Sequence, residues 1–294
     1  MWETSKDPED RDRFVQPQAR LQTRSQLWGR GWARNLIHLP FIRQAGWLLL
    51  VAVAWEALAR ANIYPSILFP RLSGVLAALI AEVRTGEILA RTSWSLGTIS
   101  AGVALAVTIS IAAAAVALGI RPLRSLVDAL LNVLHPLPGI AVLPIFLLWF
   151  GTGAPAVLAV VVFSCIWPMV QNLLAGLESV PRTQIEAGRN LGLRRARLTL
   201  YVLIPASLPY ALAGLRLAWA RGWQTAVAGE MVFGAGGGDG GLGWFIYKRR
   251  FFLEIPAVFA GMLMIIIIGI LVEHVVFGTL ERLTVRRWGM SRAE

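Results

Sequence analysis

From Ala129 to Leu177 the chain runs 49 residues without a single Asp, Glu, Lys or Arg. No ordinary soluble domain has room for such a run. A membrane-crossing helix needs roughly 20 mostly apolar residues, so this stretch is long enough for two. Gly151-Thr152-Gly153-Ala154-Pro155 is the natural turn between them. The rest of the composition agrees. Hydrophobic residues make up 56% of the chain and charged residues 15%, against about 25% charged in soluble domains. That excess of apolar surface also excludes a disordered chain.

Four further segments read as spans. Thr92 to Ile120 and Ile255 to Val272 are uncharged. Leu217 to Phe233 is apolar apart from Arg221, Gln224 and Glu230. Phe41 to Ile63 is weaker, with Glu56 and Arg60 near its end. The expected fold is therefore an all-α polytopic membrane protein with about six transmembrane helices. Residues 1–40 are polar and read as a cytoplasmic tail, not a signal peptide, since no apolar run precedes residue 41. Trp28 and Trp32 are expected where that tail meets the interface. Residues 41–288 form the membrane domain and 289–294 a short C-terminal tail. Between the first two spans, Leu72 to Ile88 suits a short surface helix.

The net charge of +11 then has a simple reading. With the N-terminus inside, nineteen Lys and Arg fall on inner segments: 1–45, Arg121 and Arg124, 182–197, and 282–292. Seven fall outside: Arg60, Arg71, Arg84, Arg91, Lys248, Arg249 and Arg250. Cytoplasmic loops collect Lys and Arg, so both termini are expected in the cytoplasm. The excess is a topology signal, and a nucleic-acid partner is not expected, because no basic face interleaved with aromatics is evident.

Metal and nucleotide chemistry find little support. Cys165 is the single cysteine, and His38, His135 and His274 are far apart, so no metal site is expected. A Walker A loop needs Lys followed by Ser or Thr. The two lysines precede Asp7 and Arg249, so the chain is not expected to hydrolyse ATP. The cluster Gly234 to Gly243 reads as a flexible connection after the fifth span. A secondary transporter would show matching halves with broken helices, and none is evident. A membrane-embedded enzyme would need convergent polar groups, and the spans hold too few.

The most informative stretch lies between the fourth and fifth spans. Pro181 suits the start of a helix, Thr183 and Glu186 have capping-box spacing, and Gly192 can end the helix in a left-handed turn. Leu193 to Val202 is again helix-compatible, with Arg194, Arg195 and Arg197 exposed. Two short helices bent at a glycine would present a basic, structured surface, suited to a docking partner.

Glu186-Ala187-Gly188, Gly192 six residues after Glu186, and Val202-Leu203-Ile204-Pro205 resemble the EAA loop of binding-protein-dependent ABC importer permeases. Gly188, Val202 and Ile204 depart from that pattern by small or aliphatic exchanges. The resemblance extends over about residues 45–288. Leu68-Phe69-Pro70-Arg71-Leu72-Ser73, His135 to Ala141, Leu147 to Gly151, Pro209-Tyr210, Gly214-Leu215-Arg216, Gly229-Glu230-Met231 and Gly241-Leu242-Gly243-Trp244 are similar to the nitrate/sulfonate/taurine-type subgroup.

The resemblance implies a permease subunit, commonly a homodimer, in a bacterial inner membrane. It also implies an ATPase subunit on each loop, which holds ATP and Mg, and an extracytoplasmic or lipid-anchored solute-binding protein. The coupling loop, about 180–204, would then act through Glu186, Ala187, Gly188, Arg189, Gly192, Arg194, Arg195 and Pro205. Glu186 and its neighbours would seat in a groove on the ATPase.

For the path, ionisable groups inside a span usually face the interior or water. Trp223, Gln224 and Glu230 in the fifth span are candidates, with Glu230 inclined to a structural or gating role if the solute is an anion. Pro136, Pro138 and Pro144 should interrupt the third span, which makes Asn132 and His135 candidates as well. Lys248-Arg249-Arg250 could attract an anion or an acidic partner, or anchor at the interface. The substrate itself is not legible.

Overall fold

The computed structural model describes residues 40–194, 196–233 and 240–286. The tail 1–39, Arg195, most of the glycine cluster and residues 287–294 lie outside them. The chain divides into two units, residues 1–54 and 55–294. Every described element is helical. That is the expected result for chain in lipid, where each backbone N–H and C=O must be satisfied within its own segment.

Helix α1, Pro40–Arg60, begins in the first unit, where Trp47, Leu48, Leu49 and Leu50 are exposed. In the second unit Trp55 stacks on Phe69 at 4.9 Å and meets Phe259 edge-on at 5.6 Å. Its indole N–H donates to the Pro70 carbonyl at 3.0 Å. The surface-helix reading of 72–88 corresponds to α2, Leu72–Thr85. The following span is longer than its uncharged core, because α3 runs Glu87–Gly119.

The third crossing is broken. Helix α4, Arg121–Leu134, meets α5, Gly139–Phe150, at 104°. Pro136 and Pro138 lie in the break and cannot donate the hydrogen bonds that would continue α4. Pro144 is accommodated inside α5. Helix α4 is amphipathic, with Leu126, Leu130 and Val133 exposed along one stripe, and Arg124, Asp128, Asn132 and His135 along another. Gly139 abuts α6, Ala154–Glu178, so closely that a Cβ there would lie 1.9 Å from Ser164 Oγ. The break therefore sits at mid-length of α6. The turn expected at residues 151–155 separates α5 from α6.

Helix α7, Arg182–Asn190, is followed by a helical turn at Ala196–Leu198 and a widened turn at Thr199–Leu203, then by α8, Ile204–Phe233. Helix α9 is Leu242–Phe251. Helix α10, Ile255–Leu271, continues as further helical turns to Arg286. Four helical stretches are long and apolar enough to cross a membrane: Glu87–Gly119, Ala154–Glu178, Ala196–Val232 and Ile255–Thr284. The bent pair α4–α5 makes five if it counts as one crossing. The sixth expected span corresponds to α1, which carries Arg43, Glu56 and Arg60.

The core joins α3, α6 and α8 through Ile99, Val103, Val161, Cys165, Met169, Ala218 and Ala226. Gly214, Ala218 and Gly222 recur every fourth residue of α8 and face α6. A Cβ at Gly222 would lie 2.8 Å from Cys165 Sγ, and one at Gly214 2.7 Å from Asn172 Cβ. Small residues at this spacing let two backbones approach closely, which is how helices associate without a hydrophobic driving force.

The basic triplet reads differently in three dimensions. Arg249 reaches Glu82 and Glu87, each at 2.8 Å, and Glu254, and it lies over the Phe245 ring. Lys248 pairs with Glu87 at 3.5 Å, while Arg250 is exposed. Burial disfavours the Arg249 charge, but the carboxylates of Glu254, Glu82 and Glu87 outweigh it and hold the guanidinium above its ordinary range. Two of the three cations thus tie α9 to the start of α3, and Arg249 also ties it to α2. Replacing Arg249 by Ala should cost about 1–2 kcal/mol, because these pairs are only partly shielded. The thermal midpoint of the purified protein should fall by a few degrees; an unchanged midpoint would show that the clamp carries no stability.

Candidate coupling surface and translocation path

The segment between α6 and α8 is built by proline and glycine at its corners. Pro181 is extended (φ −59°, ψ 136°) and launches α7 at Arg182. The capping box expected from Thr183 and Glu186 is not used. At the other end Gly192 has φ +80°, which a side chain would strain. Its N–H donates to the Arg189 carbonyl at 2.9 Å, and the Leu193 N–H donates to that of Gly188 at 3.1 Å. These two bonds form a Schellman stop, the left-handed turn anticipated from the sequence. The second short helix, however, is not separate: from Ala196 the chain is helical into α8. The widened turn Thr199–Leu203 precedes Pro205, whose missing N–H leaves a carbonyl one turn back without its usual donor.

Gly188 is buried. A Cβ there would meet Leu198 Cδ1 at 2.8 Å and Val202 Cγ2 at 3.1 Å. The departure from Ala at this position therefore seats α7 against the turn that leads into α8. Between them lies a groove of about 650 Å³, lined among others by Gln184, Ala187, Leu191, Tyr201 and Pro205. Glu186, Ala187, Arg189, Gly192 and Arg194 are all exposed beside it, as is Arg197. Leu191 is 81% exposed, an apolar side chain standing out of a basic rim. Arg195 lies outside the described residues.

The five path candidates do not form one site. Asn132 and His135 line a cavity of about 480 Å³ with Arg124, Asp128 and Gln171, beside the break in the third crossing. Arg124 is pinned there to Asp128 at 3.0 Å and Glu178 at 2.8 Å. Trp223 is buried and stacks on Trp219 at 6.4 Å, so it belongs to the core. Gln224 is exposed on another face of α8.

Glu230 is neither in an open path nor paired with an arginine. It is 1% exposed. Ser95 Oγ lies 2.8 and 2.9 Å from its two oxygens, and the Gly243 N–H donates to it at 2.8 Å. Ser95 Oγ in turn accepts from the Leu242 N–H at 2.8 Å. The carboxyl group thus receives one free N–H at the start of α9 and Ser95 Oγ another, at a helix end whose dipole favours an acid. These contacts fasten α3, α8 and α9 together. Sequence reasoning missed Ser95, because a serine in an apolar span carries no pattern of its own. The two glycines of Gly241-Leu242-Gly243 were visible and are the signal that could have revealed the close approach. Among the described residues there is no cluster of three or more His, Cys, Asp or Glu fit for a metal.

Residues 106–287 match the family of binding-protein-dependent transport system inner membrane components, and the chain belongs to that family. It is a multi-pass inner-membrane permease subunit of an ABC importer. It is similar to the taurine transport system permease protein TauC of Escherichia coli, at 29% identity over 83% of this chain and 91% of TauC. It is also similar to the bicarbonate transport system permease protein CmpB of Synechococcus elongatus, at 27% identity over 76% of this chain and 83% of CmpB. The nitrate/sulfonate/taurine-type resemblance fits these relatives. In fold it matches the crystal structure of an amino acid ABC transporter with histidines, with a TM-score of 0.55 at 19% identity, covering 71% of this chain and 98% of that one. The family works with an ATPase and a solute-binding protein, and a secondary transporter finds no support.

Proposed function

We propose that the α7 segment is the seat of the ATPase. On this reading residues 180–204 face the cytoplasm, both termini lie on the same side, and two copies of the chain form the path. ATP and Mg²⁺ bind on the ATPase, and this chain supplies no catalytic group. The observation that carries the proposal is the groove between α7 and the start of α8. It is apolar within and basic at the rim, and it is helically continuous with a membrane-crossing helix. A load applied to α7 passes through the Gly188 contact to Leu198 and Val202, then along α8.

The solute is a small anion. The named substrates of the two relatives, taurine and bicarbonate, support this, since each carries an anionic group. A solute-binding protein delivers it from the far side.

The docking reading is tested by reversing charge beside the groove. Glu186→Arg combined with Arg189→Glu should leave the permease in the membrane at normal abundance. Co-purification of the ATPase should fall at least tenfold, the loss expected when one or two well-placed contacts worth about 1.4 kcal/mol or more are removed. Undiminished co-purification would sink the docking reading. For the substrate, the ligand carried by the cognate binding protein decides: a solute with no anionic group would overturn the anion assignment.

A further inference from the structure

Among the described residues of the membrane-crossing stretches, Arg197 and Arg282 stand near the ends, and the charges elsewhere are accounted for but one. Glu87 and Arg91 stand at the start of α3 and Glu178 at the end of α6. Arg216 pairs with Glu273 at 3.1 Å and with Glu281 at 3.5 Å. Glu230 is enclosed by Ser95 and the start of α9. Arg221 is the exception. It is exposed, and among the described residues it has no hydrogen-bond or ion-pair partner.

Its depth matters. Arg221 immediately precedes Gly222, where a Cβ would lie 2.8 Å from Cys165 Sγ, and Cys165 is near the midpoint of α6. At 1.5 Å per residue it lies roughly 25 Å from the start of α8 and 18 Å from its end. That is too far for the side chain to snorkel to an interface.

Its face matters equally. Leu217, Arg221, Gln224 and Ala228 follow a spacing of four, three and four, so they share one stripe of α8. The stripe lies to one side of the Gly214–Ala218–Gly222 seam that is packed on α6. A guanidinium and an amide at mid-depth do not face hydrocarbon; they face a watered cavity or pair with other polar groups. In a symmetric pair the same residue recurs on both copies, and two facing guanidiniums repel unless water or an anion lies between them.

We infer that Arg221 is the charge-selecting residue of the translocation path, drawing an anionic solute to mid-membrane, with Gln224 one turn further along the same wall. This rests on the two-copy, anion-carrying reading above and adds the residue that would enforce it.

The test uses the permease with its ATPase in membrane vesicles, with Cys165→Ser removing the permease's one native thiol. Gln224→Cys is then titrated with a sulfonate-bearing and a trimethylammonium-bearing methanethiosulfonate. Rates are normalised to each reagent's rate with a free thiol. The anionic reagent should react about tenfold faster. The preference should vanish in Arg221→Gln and return in Arg221→Lys. If neither reagent reaches Gln224→Cys, the stripe does not line a watered path and the inference falls with that placement. Equal reaction with and without Arg221 overturns the selector while leaving the path in place. The ATPase co-purification assay reports separately on docking.

Discussion

Gly243→Ala is expected to disable the protein by preventing the junction of α8 with α9 from closing. A Cβ there would lie 2.2 Å from the Val227 carbonyl oxygen and 2.8 Å from Glu230 Cβ. The first of these is backbone in the middle of a packed helix, so no rotamer change relieves it. Overpacking of this kind costs about 1–3 kcal/mol. Displacing the Gly243 N–H from Glu230 would add about 1–3 kcal/mol for a buried group left unpaired. The sum is a large share of the roughly 5–15 kcal/mol that holds a typical fold. Gly97→Ala supplies the contrast, because nothing lies within 4 Å of that position and alanine favours a helix interior over glycine by about 1 kcal/mol. Fluorescence-detected size exclusion after a heat step should show Gly243→Ala aggregating well below wild type and Gly97→Ala at or above it. Equal profiles for all three would refute this account of the junction.

The second large effect is functional. Gly192→Pro should reduce ATP-driven uptake by tenfold or more while the chain still inserts. Gly192 has φ +80° and donates its N–H to Arg189; proline fixes φ near −65° and has no N–H. The Schellman stop is lost, and with it the angle between α7 and the helix proposed to carry motion into the membrane. Gly192→Ala keeps the N–H and adds strain of about 1–2 kcal/mol, so it should be intermediate. The measurement is uptake per permease, with membrane abundance determined on the same vesicles. Wild-type uptake by Gly192→Pro at normal abundance would remove the bend from the coupling mechanism.

These two glycines differ in how they could be found. Gly192 was legible because helix stops have a local grammar: an amphipathic turn, then glycine, then a new helical run. The turn at Gly151 to Pro155 and the proline break of the third crossing were legible for the same reason. Gly243 was not, because its requirement comes from Val227 and Glu230 on another helix. Glu230 shows the same limit. Its presence in a span marked it as important, yet nothing in the sequence said that Ser95, 135 positions away, would close over it. The basic triplet read equally well as an anion lure or an interfacial anchor until Glu82, Glu87 and Glu254 were placed around Arg249.

The sequence by itself determined the class of protein, the number of long apolar runs within one or two, and the segment on which coupling is proposed. These follow from lengths, periods and local turn chemistry, which act within a few residues. Only the tertiary structure decided which polar groups in the membrane are spent on holding helices together and that Arg221, among the described residues, is not one of them. That distinction depends on distances between segments far apart in the chain, where a hydrogen bond of 2.8 Å turns a candidate path residue into a fastening and its absence leaves Arg221 exposed.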